Sequence, residues 1–198
     1  MVNPFRQAHF LISANRLTQL PADAGAEVAF TGRSNAGKSS ALNAICDQRG
    51  LARISKTPGR TQMLNVFPLD DAHRLVDLPG YGYAKVPEAM REHWRGVLDA
   101  YLRTRVSLKG LVLVMDARHP LKAFDRDMLA FGAASARCCH CLLTKSDKLS
   151  RGEGLRTLAA VRKTLAAEFP ATTAQLFSST GGNGVDEARN LIAGWLDI

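Results

Sequence analysis

A glycine-rich loop near the start of the chain has the composition needed to hold phosphate groups. Residues 32–39 read GRSNAGKS and follow the short apolar run EVAF at 27–30. They match G-x-x-x-x-G-K-[ST] between a strand and a helix, where that pattern belongs. Glycines let backbone amides turn inward around phosphate oxygens, and the helix start adds partial positive charge. We therefore expect Lys38 to reach the β- and γ-phosphates of a nucleotide and the Ser39 hydroxyl to bind Mg²⁺.

An aspartate at the end of a later apolar run is the second candidate. Asp77 closes RLVDL and is followed by Leu78, Pro79 and Gly80. An aspartate in this position holds Mg²⁺ through a water, and the Gly80 amide is free to meet a γ-phosphate. Alone, DLPG would be an ordinary turn after a strand. The phosphate loop upstream favours the metal-linked interpretation.

The segment TKSD at 144–147, after the apolar run CLL, predicts which base is bound. The Asp147 carboxylate can accept two parallel hydrogen bonds, from guanine N1–H and the 2-amino group, whereas adenine offers neither. Losing a hydrogen bond to a charged group costs roughly 1.5–3 kcal/mol. The stem of Lys145 can cover the base. A backbone amide of SST at 178–180, a weak signal by itself, can meet guanine O6.

The segment before the next strand contains a third oxygen ligand for a metal ion. It reads TPGRTQ at 57–62, where Thr61 is best placed to complete the Mg²⁺ shell and Thr57 is the alternative. A loop of this kind is ordered only while the γ-phosphate and the metal are present, which makes it a switch. We expect the first switch at about 48–62 and the second at about 77–87.

The elements that must position these loops alternate between strand-like and helix-like patterns. This alternation predicts an α/β sheet with helices on both faces. Strands are expected at 27–30, 63–69, 74–78, 110–116, 141–144 and 175–179, and the second and third form a hairpin. Helices are expected at 39–46, 88–106 and 121–135, and in two C-terminal apolar stripes that end near Phe169 and Trp195.

Composition narrows the class of protein. The 198 residues suit one domain with short additions at its ends, and the formal net charge of +8 favours an anionic partner. Three of the four cysteines lie in ARCCHCLL at 136–143, which lacks the paired spacing of zinc sites and is typical of a buried strand. No disulfide framework is visible, which predicts a reducing cytoplasm. No apolar stretch approaches the roughly 20 residues of a membrane helix.

Six segments occur in a fixed order over nearly the whole chain: GRSNAGKSS, KTPGRTQ, VDLPGYGYAK, MDARHPL, TKSDKL and SST. Together they resemble the EngB family (also called YihA or YsxC), bacterial GTPases related to TrmE, Era and EngA. The resemblance implies a three-layer P-loop G domain with a six-stranded, mostly parallel sheet that has one antiparallel strand. It implies Mg²⁺-dependent binding and hydrolysis of GTP to GDP, a role in assembly of the large (50S) ribosomal subunit, and a need for the protein in cell division and septation. We expect an N-terminal extension at 1–25 and a single G domain at 26–198.

The resemblance also bears on how GTP is hydrolysed. Tyr81 stands where Ras-like proteins have a glutamine that aims the attacking water, so intrinsic hydrolysis should be slow. Several GTPases with a hydrophobic residue there use a potassium ion bound partly by an asparagine of the phosphate loop, and Asn35 occupies the matching place. The alternative is that Asn35 merely suits the turn.

The predicted site has three parts. The catalytic residues are Lys38, Thr61 and Asn35, and the metal ligands are Ser39, Thr61 and, through a water, Asp77. The predicted nucleotide contacts are Gly32, Arg33, Ser34, Asn35, Ala36, Gly37, Lys38, Ser39, Ser40, Gly59, Arg60, Thr61, Gln62, Met63, Asp77, Leu78, Pro79, Gly80, Thr144, Lys145, Ser146, Asp147, Ser178, Ser179 and Thr180.

Basic residues near the predicted switches are candidates for contact with ribosomal RNA. They are Lys56, Arg60, Lys85, Arg91, Arg95, Arg103 and Arg118, with His119 beside the last. Basic residues on segments whose conformation depends on the γ-phosphate can bind RNA in one nucleotide state only. The expected partners are a guanine nucleotide and the large ribosomal subunit or its precursors, and the expected state is a monomer. Two alternatives stay open: a P-loop enzyme that phosphorylates a small molecule, and a plain RNA-binding domain.

Overall fold

The computed structural model describes residues 3–52, 63–80, 88–135 and 137–198, without the side chains of 88–91 and 94. The strands are β1 (Ile12–Ala14), β2 (Ala26–Gly32), β3 (Leu64–Pro68), β4 (His73–Asp77), β5 (Leu108–Asp116), β6 (Cys138–Thr144) and β7 (Thr172–Leu176). The helices are α1 (Lys38–Cys46), α2 (Glu88–Thr104), α3 (Ala123–Ala134), α4 (Arg151–Glu168) and α5 (Val185–Leu196). Short 3-10 turns lie at Pro4–Gln7, Leu17–Gln19 and Ser146–Lys148.

The strands form one sheet in the order β1-β3-β4-β2-β5-β6-β7. Strands β2, β4, β5, β6 and β7 pair in parallel, and β3 runs antiparallel to both of its neighbours, β1 and β4. The predicted α/β class and the single reversed strand are confirmed. The predicted count of six strands is wrong, because β1 adds a seventh from the segment expected to be an extension. Asp77 consequently ends the fourth strand, not the third.

The predicted hairpin is present as β3 and β4. Its turn is organised by Asp70, whose Oδ1 accepts hydrogen bonds from the amides of Ala72 at 2.7 Å and His73 at 2.8 Å. An aspartate that binds amides two and three residues ahead mimics the backbone of a turn. The polar residues after β3 therefore reverse the chain and bring β4 beside it.

Helices cover both faces of the sheet and form three layers. On one face, Phe30 and Val114 of the central strands pack with Leu42 of α1 and Ile192 of α5. On the other face, Leu113 belongs to a core with residues of α2, α3 and α4, namely Leu98, Leu102, Met128 and Leu165. Each such side chain contributes roughly 1.5–3 kcal/mol by leaving water. The continuous apolar run in β5 is explained, because its successive residues enter opposite cores.

The N-terminal segment packs on the end of α1. Phe5 is fully buried in the core beside α1. The Gln48 amide donates to the carbonyls of Arg6 at 2.8 Å and Ala8 at 2.6 Å. Arg6 also forms an ion pair with Asp47. The first residues of the chain are thereby joined to the point at which α1 ends.

A buried polar cluster joins the amino ends of the central strands to the end of α2. Glu27 is 1% exposed and accepts hydrogen bonds from Tyr101 at 3.0 Å and from the Arg105 Nη2 at 2.6 Å. Arg74 lies 3.2 Å from the same carboxylate. Removing one partner from such a pair strands a charge, which costs about 3–5 kcal/mol. Within the described ranges, no helix combines the length and the apolar character required to cross a bilayer.

Candidate functional site

The loops that carry the predicted chemistry meet at one edge of the sheet. Five parallel strands, β2, β4, β5, β6 and β7, end there. The phosphate loop follows β2, DLPG begins at the last residue of β4, and TKSD begins at the last residue of β6. Ligands of open α/β sheets bind outside the carboxyl ends of the strands. The topology therefore brings together motifs that are far apart in the sequence.

Left-handed residues shape the phosphate loop. Asn35 has φ 62° and Gly37 has φ 99°, and the Ala36 amide closes a turn on the Arg33 carbonyl at 3.0 Å. Asparagine adopts this conformation more readily than most residues, so the turn by itself accounts for its presence at position 35. A Cβ on Gly32 would lie 2.4 Å from the Val114 carbonyl oxygen, which explains the first glycine. The loop has the backbone form of an anion nest.

The start of α1 fits a negatively charged ligand. The helix begins at Lys38, no side chain caps it, and its first turn contains no acidic residue. The first amides of a helix have no partners within it, so they remain available to phosphate oxygens. Gly80 approaches the same loop, because a Cβ there would lie 3.3 Å from the Gly32 oxygen and 3.6 Å from the Ser34 nitrogen. The DLPG turn thus rests on the phosphate loop.

Lys38 and Asp77 converge beneath this loop. Their side chains form an ion pair and are only 10% and 4% exposed. The Ser39 hydroxyl lies in the first turn of α1, and hydroxyl and carboxylate oxygens are suitable ligands for Mg²⁺. The described residues therefore fit a phosphate–magnesium site. Among them, no group of three or more His, Cys, Asp or Glu side chains could hold a metal ion.

The predicted base motif is attached to the phosphate loop. Lys145 adopts a left-handed conformation with φ 57°, and its Nζ donates to the Asn35 carbonyl at 2.7 Å. The Thr144 hydroxyl contacts the Ala36 carbonyl and lies 2.9 Å from the carbonyl of Met115. The side chains of Thr144 and Lys145 consequently join the two loops, and the stem of Lys145 spans them.

A serine hydroxyl orients the predicted base-reading carboxylate. Ser178 donates to Asp147 at 2.7 Å, and the Gly181 amide donates to the Ser178 hydroxyl at 2.9 Å. The hydrogen bond from Ser178, followed by that from Lys148, keeps the pKa of Asp147 below its usual range. Asp147 is therefore ionised at neutral pH and can accept two hydrogen bonds. The sequence offered only an indirect signal for this side-chain role, namely that both residues follow adjacent strands.

The serine-rich turn differs in detail from the expected arrangement. Strand β7 ends at Leu176, so SST lies in the following turn and not at the end of the strand. The Ser178 amide already donates to the Asn183 carbonyl at 2.9 Å. In the described ranges, the amides of Ser179 and Thr180 donate no hydrogen bond. These two amides are therefore available to an acceptor atom of a ligand.

A second aspartate, which the motifs did not single out, supports the base motif. Asp116 at the end of β5 lies 3.0 Å from the Lys145 Nζ and accepts hydrogen bonds from Arg118 at 2.6 and 2.9 Å. Arg118 first, and Lys145 with it, hold the pKa of Asp116 well below its usual range. Arg118, expected to meet RNA, thus has a structural partner, although its side chain remains 44% exposed. The sequence did contain an indication of this role, because Asp116 is the acidic residue of the segment MDARHP.

A cavity of about 430 Å³ opens between α1 and the serine-rich turn. Ser40 and Ser179, both predicted contacts, lie in its wall, and so do Asp47 and Arg49, which the sequence patterns did not assign to the site. The cavity lies beside the free Ser179 amide. Neither Asp147 nor Lys145 is among the residues that line it, so the predicted base motif lies outside this cavity.

Several predicted residues cannot be placed or act only through their backbone. Gly59, Arg60, Thr61 and Gln62 lie outside the described residues, as do Lys56, Thr57, Tyr81 and Lys85, and so does the side chain of Arg91. Leu78 is fully buried in the core, so only its backbone can face a ligand. Met63 is 38% exposed and precedes β3. Arg95 and Arg103 of α2 are exposed, and Arg103 pairs with Asp99 at 2.7 Å.

Comparison with known proteins gives consistent matches. Residues 27–145 match the model of the 50S ribosome-binding GTPase family. The chain is 54% identical over 193 residues to a probable GTP-binding protein EngB of Stenotrophomonas maltophilia (strain K279a), covering 97% of this chain and 96% of that protein. It is also 54% identical over 194 residues to the protein of the same description from Aromatoleum aromaticum, covering 98% and 90%. A crystal structure of a probable GTP-binding protein engB superposes with a TM-score of 0.69 at 19% identity, covering 87% of this chain and 99% of that one, which supports the fold.

Proposed function

Because the chain belongs to the EngB family of GTP-binding proteins, within the 50S ribosome-binding GTPases, we propose that it is a Mg²⁺-dependent GTP switch in large-subunit assembly. It binds the large ribosomal subunit or its precursors in one nucleotide state, and slow hydrolysis of GTP to GDP resets it. Its work in the cytoplasm also supports normal cell division and septation. The observation that carries the proposal is the bond from Lys145 to the Asn35 carbonyl, which joins the base motif to the phosphate loop.

The phosphate groups are bound by the loop amides and by Lys38. The amides of the nest at 33–37 and of the first turn of α1 donate hydrogen bonds to the phosphate oxygens, and the Lys38 ammonium leaves the Asp77 carboxylate to bind the β- and γ-phosphates. Ser39, Thr61 and, through a water, Asp77 are the residues that would hold Mg²⁺. When bound, Mg²⁺ supplies positive charge that offsets the charge developing on the phosphate oxygens during transfer.

Guanine is selected by the carboxylate of Asp147. Ser178 holds this carboxylate ionised and fixes its direction, and Lys145 covers the base. An amide of Ser179 or Thr180 donates to guanine O6. Adenine would leave the carboxylate without donors and would place its amino group against an amide N–H, so the site discriminates twice against the wrong purine.

Binding of guanine against adenine nucleotides tests the proposed ligand. Calorimetry with Mg²⁺ should show heat on addition of GDP or GTP and none on addition of ADP or ATP. Equal heats with adenine nucleotides would favour a small-molecule phosphotransferase. A lack of heat with both, together with RNA binding, would favour a plain RNA-binding domain.

Co-sedimentation tests the proposed partner. The protein should pellet with large ribosomal subunits or their precursors more strongly in one of the two nucleotide states. The affinity should fall as salt rises, because basic residues displace counterions from RNA. The net charge of +8 and the exposed Arg95 on α2 support this contact. Binding that is equal with GTP, with GDP and without nucleotide would contradict a switch.

Potassium is proposed as an accelerator of hydrolysis, bound partly by Asn35. The Asn35 side chain is exposed and makes no hydrogen bond in the described part of the chain, so its oxygen is available. Turnover should be faster in KCl than in NaCl. Asn35→Gly should keep the left-handed turn and retain GDP binding but lose the difference between the two salts. Equal turnover of the unaltered protein in both salts would exclude this role.

A further inference from the structure

A second cavity lies on another side of the phosphate loop. Its volume is about 280 Å³, and residues 33–36 form one wall. Asp125, in the first turn of α3, forms part of the opposite wall. Asn35 and Lys145, which the proposed function uses, also line this cavity, but that function gives no role to the side chains of Arg33 and Asp125.

Asp125 presents an unsatisfied oxygen in this region. The residue is 1% exposed, and its Oδ2 accepts a hydrogen bond from the Lys122 amide at 2.9 Å. Its Oδ1 is buried and has no hydrogen-bond partner. Burial raises the pKa of Asp125, although the charges of Arg33 and Lys122 act in the opposite direction. A buried carboxylate oxygen without a donor is costly, so this atom requires a partner.

Arg33 is the cation available to Asp125. The other cations that line the cavity, Arg118 and Lys145, are both bound to Asp116. Arg33 is exposed, and its side chain forms no hydrogen bond or ion pair in the ranges the structure describes. Arg33 and Asp125 line the same cavity, and the charge of Arg33 acts to lower the pKa of that carboxyl. Rotation of its side chain into the cavity would satisfy both groups.

We infer that Arg33 is a positioning residue, whose guanidinium crosses this cavity to the Oδ1 of Asp125 and ties the phosphate loop to α3 with or without nucleotide. The loop is already attached to the β6 side through Lys145 on the Asn35 carbonyl and through Thr144 on that of Ala36. Arg33 precedes both attachment points and is the acceptor of the loop's own turn. A bond to α3 would restrain the side of the loop that those contacts leave free. The inference rests on the proposed function, because the restrained loop is the one that holds the phosphates.

Release of fluorescent GDP measures whether this tie exists. Arg33→Ala and Asp125→Asn should each speed release about tenfold, a typical size for coupled neighbours. Asparagine at 125 can still accept from the Lys122 amide, so the helix start is preserved. The double variant should also release about tenfold faster, not about a hundredfold. Arg33→Lys should recover part of the loss, because an ammonium can pair at one point.

The matched control is Arg126→Ala, one residue further along α3. Its guanidinium pairs with Glu168, not with the phosphate loop, so release should equal that of the unaltered protein. Single variants at 33 and 125 that release GDP at the unaltered rate, or singles whose effects multiply in the double variant, would overturn the inference.

A titration without nucleotide keeps the two proposals distinguishable. The Asp125 carboxyl can be followed by NMR, and Arg33→Ala should raise its pKa while Arg126→Ala leaves it unchanged. The other titratable or charged groups near it are Lys122 on its own helix, Cys141 on β6, and Asp116, Arg118, His119 and Lys145 in the cavity wall. An unchanged pKa in Arg33→Ala would contradict the tie. Failure of the unaltered protein to bind GDP would instead contradict the proposed function.

Discussion

At the scale of single residues, recognition of the base depends on side chains that hold other side chains. Asp147 is directed by Ser178, and Lys145 is held between Asp116 and the Asn35 carbonyl. Each bond fixes a group that would otherwise sample several rotamers in water. The proposed selectivity for guanine thus depends as much on a carboxylate that is ordered before the base arrives as on the charge of that carboxylate.

Asp147→Asn should change the preferred base from guanine to xanthine. The amide offers one donor and one acceptor where the carboxylate offers two acceptors, which matches the N1–H and the 2-oxo group of xanthine. Calorimetry with GDP and with xanthosine diphosphate measures the change. The Ser179→Ala variant keeps its backbone amide and should keep the preference for guanine. Retained GDP affinity in Asp147→Asn would show that this residue does not read the base.

At the scale of elements, the close packing of β2 on β5 sets where the phosphate loop begins. Gly32 ends β2 so close to β5 that a Cβ placed on it would lie 2.4 Å from the Val114 carbonyl oxygen. No side chain can be added there unless the strands move apart, and the same movement would displace the nest. The same steric constraint therefore fixes both the packing of β2 on β5 and the position of Gly32, where the phosphate loop begins.

Gly32→Ala should weaken GDP binding strongly and destabilise the fold. Its methyl group would lie 2.4 Å from a backbone oxygen, and overpacking of this kind costs about 1–3 kcal/mol. Thermal unfolding and calorimetry measure the two effects. Gly96→Ala is the matched control, because a Cβ there meets nothing within 4 Å and alanine favours a helix. Equal stability of Gly32→Ala and the unaltered protein would contradict the predicted clash.

The pairing of β6 with β7 should make stability depend on pH. His140 is 3% exposed and contacts the Thr173 hydroxyl at 2.6 Å and the Gln175 side-chain oxygen at 3.0 Å. Burial lowers the pKa of His140 from the ordinary value of 6.5 to about 4. The unfolded chain therefore binds a proton that the folded one does not, and the stabilisation present above pH 6.5 is lost as pH falls towards 4, by roughly 3 kcal/mol.

Urea unfolding of the unaltered protein and of His140→Gln at several pH values isolates this effect. Glutamine cannot titrate, so the difference in unfolding free energy between the two proteins should change between pH 6.5 and 4 and stay constant above that range. A difference that is independent of pH would show that His140 is protonated equally in both states.

At the scale of the whole molecule, the carboxyl and amino edges of the sheet have different roles. The carboxyl edge carries the loops of the candidate site, whereas the amino edge carries the buried cluster of Glu27, Arg74, Tyr101 and Arg105. The cluster joins β2 and β4 to the end of α2, the helix that follows the second predicted switch. We therefore expect changes in this cluster to alter stability without altering ligand binding.

Glu27→Gln should lower stability while leaving GDP affinity unchanged. Loss of the carboxylate leaves two buried guanidinium groups without their shared anion, at a cost of about 3–5 kcal/mol. The midpoint of urea unfolding and the GDP dissociation constant measure the two outcomes. Glu168→Gln removes a carboxylate from an exposed pair with Arg126 and should cost at most about 1 kcal/mol. Weakened GDP binding by folded Glu27→Gln would contradict the separation of the two edges.

What the sequence by itself determined is local. The phosphate loop, the hairpin turn at Asp70 and the doubly buried strand β5 follow from neighbouring residues, because glycine, asparagine and aspartate act on their own backbone and apolar periodicity reports the burial of one element. The tertiary structure alone decided that β1 joins the sheet, that Ser178 directs Asp147, that Asp116 holds Lys145, and that Asp125 and Arg33 line one cavity. These contacts join residues that lie far apart in the chain, so their partners depend on the order and register of the strands, which no short segment encodes.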